Sequence, residues 1–284
     1  MRKRIWATVL ALCLVLGLVP GTAWADYDSW KEYDLGQVKC KEGYETAYLS
    51  YEENEQGGIT ITSVHPQSIG AVMLGTVPGS LDLTIPDSID GKPVTCIGHD
   101  ALHDCPWATN VLKIPDTVTT IGEGAFTYCP ISGLILPASL TTLDDYALHG
   151  INELQMYEIP EGNPNFSSID GVLFNGDKTH LIDYPVARLG SSYQIPDGVT
   201  HVEKLDSENI TKIMIPESLE SGDFSSVINL TEFTVEEGNK TFSSLDGVLF
   251  NADQTELLRY PVEVVKNSPR KAGPSRKGRP CVKV

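Results

Sequence analysis

Residues 154 to 185 read LQMYEIPEGNPNFSSIDGVLFNGDKTHLIDYP, and residues 230 to 261 read LTEFTVEEGNKTFSSLDGVLFNADQTELLRYP. The two stretches are offset by 76 residues, and 18 of the 32 aligned positions are identical. Chance does not produce that level of identity within one chain. Self-similarity at a fixed period is the signature of repeat architectures, so the sequence predicts a fold of stacked, related units.

A shorter unit recurs upstream of this pair. Residues 94–105 read VTCIGHDALHDC, and residues 118–129 read VTTIGEGAFTYC. Residues 140–151 form a looser third copy, so the steps between copies are 24 and then 22 residues. A unit of this length has room only for short strands, turns and small corners. Because one unit leaves its apolar edge exposed, neighbouring units must stack on each other.

Each unit is linked to an apolar residue that is followed by proline. The residues before the proline alternate, as Leu112 and Ile114 or Ile213 and Ile215 do. Period two predicts a half-buried strand, and proline ends the strand because it has no N–H to donate. The six steps are Ile85-Pro86, Ile114-Pro115, Leu136-Pro137, Ile159-Pro160, Ile195-Pro196 and Ile215-Pro216.

The segment after each proline predicts a turn and a buried corner. The β-branched run of residues 118–121 ends at Gly122, where the chain must change direction. Ala125, Phe126 and Cys129 then supply apolar side chains, which we expect to lie in a single helical turn.

The copies at the 76-residue offset add a hairpin to the stack. The apolar stretch of residues 172–174 leads into Asn175-Gly176, a strong turn signal between two strands. Asp170 and Asp246 stand in a repeated Ser-Ser-x-Asp-Gly and have two interpretations. They are calcium ligands or members of an Asp-Gly turn, and turn formation explains them better.

The strings IPDTVTTIGEGAFTYC, IPDSIDGKPVTCIG and NPNFSSIDGVLFNGDKTHLIDYP resemble the BspA-type leucine-rich repeats of secreted and surface bacterial proteins. The resemblance covers roughly residues 80–261. It implies a β-rich α/β solenoid, an irregular, horseshoe-like leucine-rich-repeat fold with short strands, small helical corners and inserted β-hairpins. The roles it implies are adhesion to host proteins or to other cells.

Three regions depart from the repeat pattern. Residues 205–210 lack the Gly-x-x-Ala-Phe-x-x-Cys segment. Residues 26–79 match no repeat, and we interpret them as an N-terminal cap with a Gly57-Gly58 turn between strands. After Tyr260-Pro261 the sequence changes to a tail, which raises the alternative that the solenoid is truncated.

The two ends of the chain differ from its body in charge. Residues 1–25 carry three basic residues before an apolar run and end in Ala23-Trp24-Ala25, as expected of a cleavable signal peptide for export. Residues 262–284 form a basic tail that we expect to be disordered, with seven cations between residues 266 and 284 and no acid. The whole chain has a formal charge of -17, of which the signal peptide contributes +3 and residues 266–284 contribute +7. The body, residues 26–265, therefore has a formal charge of -27. That charge disfavours nucleic acid and anionic lipid as partners.

The cysteines and histidines raise two questions of chemistry. Cys96, His99, His103 and Cys105 have the spacing of a zinc site. The repeat alignment places the two histidines on the surface and Cys105 at a buried corner, so we expect a structural arrangement and no metal. Cys105 and Cys129 occupy equivalent positions in adjacent units, where they form either a ladder of small apolar side chains or a disulfide. Because five cysteines follow residue 25, at least one stays outside any intramolecular pairing.

Enzyme signatures are missing from the sequence. It has no Gly-x-Ser-x-Gly, no phosphate-binding loop and no metalloprotease histidine spacing. Paired carboxylates such as Asp144-Asp145 fall in turns, whereas a glycosidase needs two carboxylates facing each other across a cleft. We therefore expect no enzyme activity and no cofactor. Because no second long apolar stretch follows the signal peptide, we also expect no membrane span after its cleavage.

The outward-facing residues of the Ile-Pro strands are the candidate ligand face. They vary between units while the inward residues stay apolar, as in a solenoid with a generic core and a particular surface. The favoured hypothesis is a secreted, monomeric, non-catalytic module that binds an extracellular protein or glycan. The alternatives are a spacer or truncated solenoid without binding of its own, and a secreted hydrolase. The face comprises Asp82, Thr84, Val111, Lys113, Ile135, Lys212, Met214, Glu232 and Thr234.

Overall fold

A computed structural model describes residues 31–40, 43–66, 83–105 and 111–261. The predicted signal peptide, the basic tail and Asp82 lie outside these residues. The described residues up to Ile131, together with Ile135–Asn152, form one compact unit. Ser132–Leu134 and the described residues from Glu153 onward form a second unit.

The first unit is built on parallel stacking of short strands behind an antiparallel start. In its main sheet β1, β2 and β3 pair antiparallel, and β3, β5, β7 and β9 then pair parallel in that order. The expected turn at Gly57 and Gly58 joins β2 to β3. The strands are β1 (Lys31–Cys40), β2 (Gly43–Glu53), β3 (Ile59–Pro66), β4 (Ser88–Ile89), β5 (Lys92–Ile97), β6 (Val111–Lys113), β7 (Thr120–Ile121), β8 (Gly133–Ile135, with residues in both units) and β9 (Thr142–Leu143).

Close approach between successive coils depends on the glycines that follow β5 and β7. Gly98 N donates to Ile61 O at 2.8 Å, and Gly122 N donates to Ile97 O at 2.8 Å. A Cβ atom at Gly98 would lie 2.7 Å from Ile61 O, which is closer than any real Cβ contact. The coils therefore stack in register, with Ile61, Ile97 and Ile121 fully buried on one side.

The corners of the first unit are not helical, so the expected helical turns and the α/β class were wrong. The amides of Ala101, His103 and Cys105 close turns within their own coil. The alternate amides bond the next coil instead, as Leu102 N does to Ala125 O at 2.8 Å. A helix would use all of these amides within one coil, which would leave the stacked coils without corner-to-corner bonds. No α-helix forms among the described residues, and none there is long and apolar enough to cross a membrane.

The second unit contains the two long copies and the coils between them. Its strands are β10 (Met156–Glu158), β11 (Phe166–Ile169), β12 (Val172–Asn175), β13 (His180–Asp183), β14 (Ser192–Gln194), β15 (His201–Val202), β16 (Lys212–Ile215), β17 (Ser221–Gly222), β18 (Glu232–Val235), β19 (Phe242–Leu245), β20 (Val248–Asn251) and β21 (Leu257–Arg259). One sheet has the order β11-β12-β13-β15-β17, a second has β14-β16-β18, and a third has β19-β20-β21.

Each long copy contributes an antiparallel meander. The hairpin expected at Asn175 and Gly176 is confirmed by the antiparallel pairing of β12 with β13, and β11 adds a third strand. Asp170 and Gly171 have φ of 50° and 80°, which is the geometry of a two-residue hairpin turn. The turn interpretation of this Asp-Gly is therefore confirmed.

The loop after β12 contains Gly176 in the first long copy and Ala252 at the matching place in the second. In this loop the left-handed residue is Lys178, with φ of 60°, and in the second copy it is Gln254, with φ of 57°. Position 176 is not left-handed, but a Cβ atom on Gly176 would lie 2.0 Å from Pro164 O, so the local backbone of the second copy must differ to hold Ala252. Asn175 Oδ1 closes the loop by accepting the Thr179 amide at 2.9 Å.

Threonine hydroxyls reinforce the stacking at matching positions of successive coils. Thr211 Oγ1 donates to Ser191 O at 2.9 Å, and Thr231 Oγ1 donates to Thr211 O at 2.9 Å.

The stack also continues where the Gly-x-x-Ala-Phe-x-x-Cys segment is missing. There the buried Ser207 hydroxyl accepts the amides of Asn209 and Ile210, so a serine turn replaces the usual corner.

Candidate functional site

The outward face of β14, β16 and β18 carries the predicted ligand residues of the second unit. In the parallel register Ser192, Lys212 and Glu232 form one row, and Gln194, Met214 and Thr234 form the next. Lys212 and Thr234 are exposed, whereas Met214 and Glu232 are half-buried. Behind them Tyr193, Ile213 and Phe233 are buried. These two rows are named the outward rows.

The outward rows are close to neutral. Lys212 Nζ lies 2.7 Å from Glu232 Oε2, and both side chains are largely solvated. An exposed pair of this kind contributes at most about 1 kcal/mol to stability, so a ligand can separate the two charges at low cost. The unbranched thioether of Met214 adapts to irregular surfaces, which suits a contact residue.

The remaining predicted ligand residues lie in the first unit. Thr84, Val111 and Lys113 are exposed, and Ile135 is half-buried. The sequence-derived face is therefore spread over two units, and its four residues in the second unit are register partners on β16 and β18.

The residues with zinc spacing do not share one environment. His99 and His103 are exposed, and each has an aspartate neighbour within 3.3 Å, Asp100 and Asp104 respectively. Cys105 is buried, as the repeat alignment indicated. No group of three or more His, Cys, Asp or Glu in the described part of the chain is placed to hold a metal ion.

Cys105 and Cys129 form a buried thiol pair on adjacent coils of the first unit. They are not joined by a disulfide. A hydrogen bond with Cys105, together with burial, raises the pKa of the Cys129 thiol far above its usual range. Because thiolates and not thiols are the nucleophiles, we expect the Cys129 thiol to be unreactive in the folded protein.

A buried ionic cluster in the second unit was missed by sequence reasoning. Asp183 is only 6% exposed, and its carboxylate accepts a short hydrogen bond from the Tyr157 hydroxyl. Lys204 Nζ lies 2.9 Å from the other oxygen of Asp183. The second long copy has Phe233 and Arg259 at the positions of Tyr157 and Asp183. The sequence signal for the contact between Tyr157 and Asp183 was that the second copy replaces both residues together.

The charges of this cluster are set by burial and by pairing. Burial raises the pKa of Asp183 above its usual value, although Lys204 and Tyr157 counteract the shift. Burial lowers the pKa of Lys204, but attraction to Asp183 and Asp206 outweighs it, so the pKa of Lys204 is raised. The cluster links β10 and β13 to the coil that carries Lys204.

Two histidines stack on neighbouring strands of the second unit. The rings of His180 and His201 lie 4.4 Å apart at 18°, and the two residues are register partners on β13 and β15. The Thr200 hydroxyl lies 2.7 Å from His201 Nδ1. With no third metal-ligating group in reach among the described residues, the pair is a polar rung of the ladder.

An open, acidic depression lies on the first unit. It has a volume of about 350 Å³ and is lined by Glu123, Leu143, Asp144 and Asp145. The three carboxylates are exposed, so they are solvated as expected for turn residues. The depression does not enclose a small molecule as catalytic clefts do.

The repeat family follows from the stacked coils together with the sequence match. Residues 82–193 match the model of the BspA type leucine rich repeat region in six copies. These residues are BspA-type leucine-rich repeats. Beyond the match, β16 and β18 continue the parallel stacking with the same alternation of buried and outward residues. No curated protein matches the chain.

Several solved structures of bacterial leucine-rich-repeat proteins are similar to the chain. Pneumococcal vaccine antigen PcpA is 18% identical, with 74% of this chain and 72% of that chain covered and a TM-score of 0.38. A leucine-rich repeat protein from Eubacterium ventriosum is 18% identical, with 76% and 75% covered and a TM-score of 0.34. A leucine rich cell surface protein from Faecalibacterium prausnitzii is 18% identical, with 66% and 74% covered and a TM-score of 0.37.

Proposed function

We propose that the chain is a non-catalytic interaction module of a secreted or surface-exposed bacterial protein, and that it binds an extracellular protein or glycan through the outward rows. One observation supports this most. The buried positions of β14, β16 and β18 carry large aromatic or aliphatic side chains, whereas the outward positions change from serine to lysine to glutamate across three paired strands. Packing does not require that variation, because the outward side chains make no part of the core.

The chemistry of the outward rows suits a mixed polar and apolar partner. They present an amide, a thioether, a hydroxyl and a separable ion pair on a rigid ladder of main-chain hydrogen bonds. Rigid presentation lowers the entropy cost of binding. The body charge of -27 disfavours polyanions, so a neutral or basic partner fits best.

The test is a binding screen with the purified full-length chain against extracellular-matrix proteins and glycans, at moderate salt. A ligand found in the screen is then measured against a Lys212→Ser, Met214→Ser double variant. The matched control changes Lys240 and Leu189, two exposed residues outside the outward rows, to serine. We expect the first variant to weaken binding at least ten-fold and the control to leave it unchanged.

Two results would contradict the proposal. If no ligand survives moderate salt, the solenoid is a spacer without binding of its own. If both variants weaken binding equally, the ligand binds elsewhere on the chain. Turnover on a panel of hydrolase substrates that one point substitution abolishes would establish the hydrolase alternative instead.

A further inference from the structure

Two tyrosines of the first unit occupy corner positions that favour glycine or aspartate. Corresponding corner residues have left-handed backbone in three successive coils. At the first such position the coils carry Asp100, Gly124 and Tyr146, and at the second they carry Asp104, Tyr128 and Gly150. Tyr128 has φ of 57° and Tyr146 has φ of 58°. A bulky residue in this region is unfavourable compared with glycine.

Packing in the core does not require a tyrosine at either position. The side chain of Tyr128 is 53% exposed and that of Tyr146 is 69% exposed. Burial therefore offsets little of the backbone cost, and glycine at the same positions would satisfy the fold. A large aromatic side chain that is kept exposed on unfavourable backbone needs a contact outside the core.

The rings are held in defined positions. The Tyr128 ring lies directly over Gly150, where a Cβ atom would be 3.1 Å from Tyr128 Cε1. His103 contacts the same ring edge to face, at 5.7 Å between centroids. Tyr146 makes the equivalent contact with His149 at 5.9 Å. Each ring thus keeps an open surface while its orientation is fixed by neighbours in the same unit.

Charge identifies the kind of partner that fits these rings. The three corner segments, residues 98–105, 122–129 and 144–151, contain no lysine or arginine. Their exposed carboxylates belong to Asp100, Asp104, Glu123, Asp144 and Asp145. Exposed tyrosine faces attract ammonium and guanidinium groups, and carboxylates pair with them. The surface therefore complements a cationic ligand.

We propose that the corner surface formed by Tyr128, Tyr146 and these carboxylates is a docking site for an extended, lysine- and arginine-rich protein segment. The aromatic faces receive the side-chain cations, and the carboxylates of adjacent coils neutralise them. Successive coils repeat every few ångströms along the stack, as side chains do along an extended peptide. This surface shares no residue with the outward rows, so it adds a second binding function to the one proposed above.

The test uses the full-length chain and a fluorescent octa-arginine peptide, with affinity measured by anisotropy at 150 mM salt. We expect Tyr128→Gly and Tyr146→Gly each to weaken binding at least five-fold. The thermal midpoint of both variants should stay constant or rise, because glycine relieves the backbone. A tyrosine with a merely structural role would instead lower the thermal midpoint when it is removed.

The controls separate specific docking from general attraction to an acidic protein. Asp144→Asn with Asp145→Asn should weaken binding strongly, whereas Glu161→Gln with Glu237→Gln makes the same change in net charge elsewhere and should not. Because residues 266–284 carry seven cations of their own, every measurement is repeated in a full-length variant with those seven changed to glutamine.

Four outcomes would overturn the proposal. The first is that the peptide fails to bind even when the chain's own cations are removed. The second is that the tyrosine variants bind as tightly as the parent chain, and the third is that the two carboxylate pairs have equal effects. The fourth is that a neutral oligosaccharide binds the tyrosines in preference to the peptide. If the corner surface does not bind the peptide, the proposal for the outward rows is unaffected, because the two surfaces are tested with different variants.

Discussion

Replacing Lys204 with methionine should destabilise the second unit through the carboxylate of Asp183. Methionine keeps the length of the side chain but removes the ammonium group 2.9 Å from that carboxylate. Breaking a buried ion pair by removing one partner costs about 3–5 kcal/mol. Because the Lys204 side chain is 34% exposed, solvent screens part of the interaction, and we expect a loss of about 2–3 kcal/mol at pH 7.

The loss should depend on pH in a defined direction. Burial already raises the pKa of Asp183 in the folded state, so this residue contributes most stability when it is protonated. That contribution is lost as pH rises through the raised pKa. Without Lys204 the pKa of Asp183 rises further, so the penalty grows between its unfolded value near 4 and neutral pH. Near pH 3.5 the same substitution should cost less than about 1 kcal/mol, because Asp183 is then mostly neutral in both states.

Native-state hydrogen exchange gives the local measurement. The Glu203 amide donates to Leu181 O at 2.9 Å between β13 and β15, so its protection reports the stacking beside the cluster. Urea unfolding followed by circular dichroism gives the global value. Lys240→Met, at an exposed position, is the matched control and should change neither.

A double-mutant cycle completes the test. Asp183→Asn in the Lys204→Met background should recover at least about 1 kcal/mol, because a neutral amide no longer needs the ammonium group. A loss of less than about 0.5 kcal/mol for Lys204→Met at pH 7, or an equal loss at both pH values, would contradict the dependence of Asp183 on Lys204. Simple additivity of the two substitutions would contradict it as well.

Three further predictions concern packing and thiol access. Leu181→Ala should cost about 3 kcal/mol and Leu257→Ala less than about 1 kcal/mol in urea unfolding, because these equivalent residues of the two long copies are 0% and 51% exposed. Gly122→Ala should lower the unfolding free energy by about 2 kcal/mol or more, since its Cβ would lie 2.9 Å from a backbone nitrogen of the preceding coil; unchanged stability would contradict the close stacking. Cys105 and Cys129, both buried, should react with a maleimide reagent only at the rate of unfolding, and labelling in native buffer within minutes would show that they are accessible.

Local pattern was sufficient for the strands and for several turns. The alternation ending in Ile114-Pro115 indicated which side chains face inward, and Leu112 and Ile114 are both fully buried. Asp170-Gly171 indicated a tight turn, because few residue pairs adopt two successive left-handed conformations. The same internal alignment separated exposed His99 from buried Cys105.

The conformation of the corners could not be predicted from the local sequence pattern. Ala125-Phe126 has the apolar character of a helical turn, and the sequence alone favoured that interpretation. The helix does not form because the Phe126 amide bonds Ala147 O in the next coil at 3.1 Å. Bonds between coils are contacts between distant parts of the sequence, so they outweigh a propensity that acts over four residues.

The amino-acid sequence by itself determined the repeat family, the inward row and the charge of the body, because each depends on residue type and spacing. Only the tertiary structure decided how the corners fold, that Lys204 meets Asp183, and that the rings of Tyr128 and Tyr146 stay exposed. The physical reason is that stacking places residues of successive coils side by side although they lie some 20 residues apart along the chain. Their hydrogen bonds, burial and charges therefore depend on neighbours that no local pattern specifies.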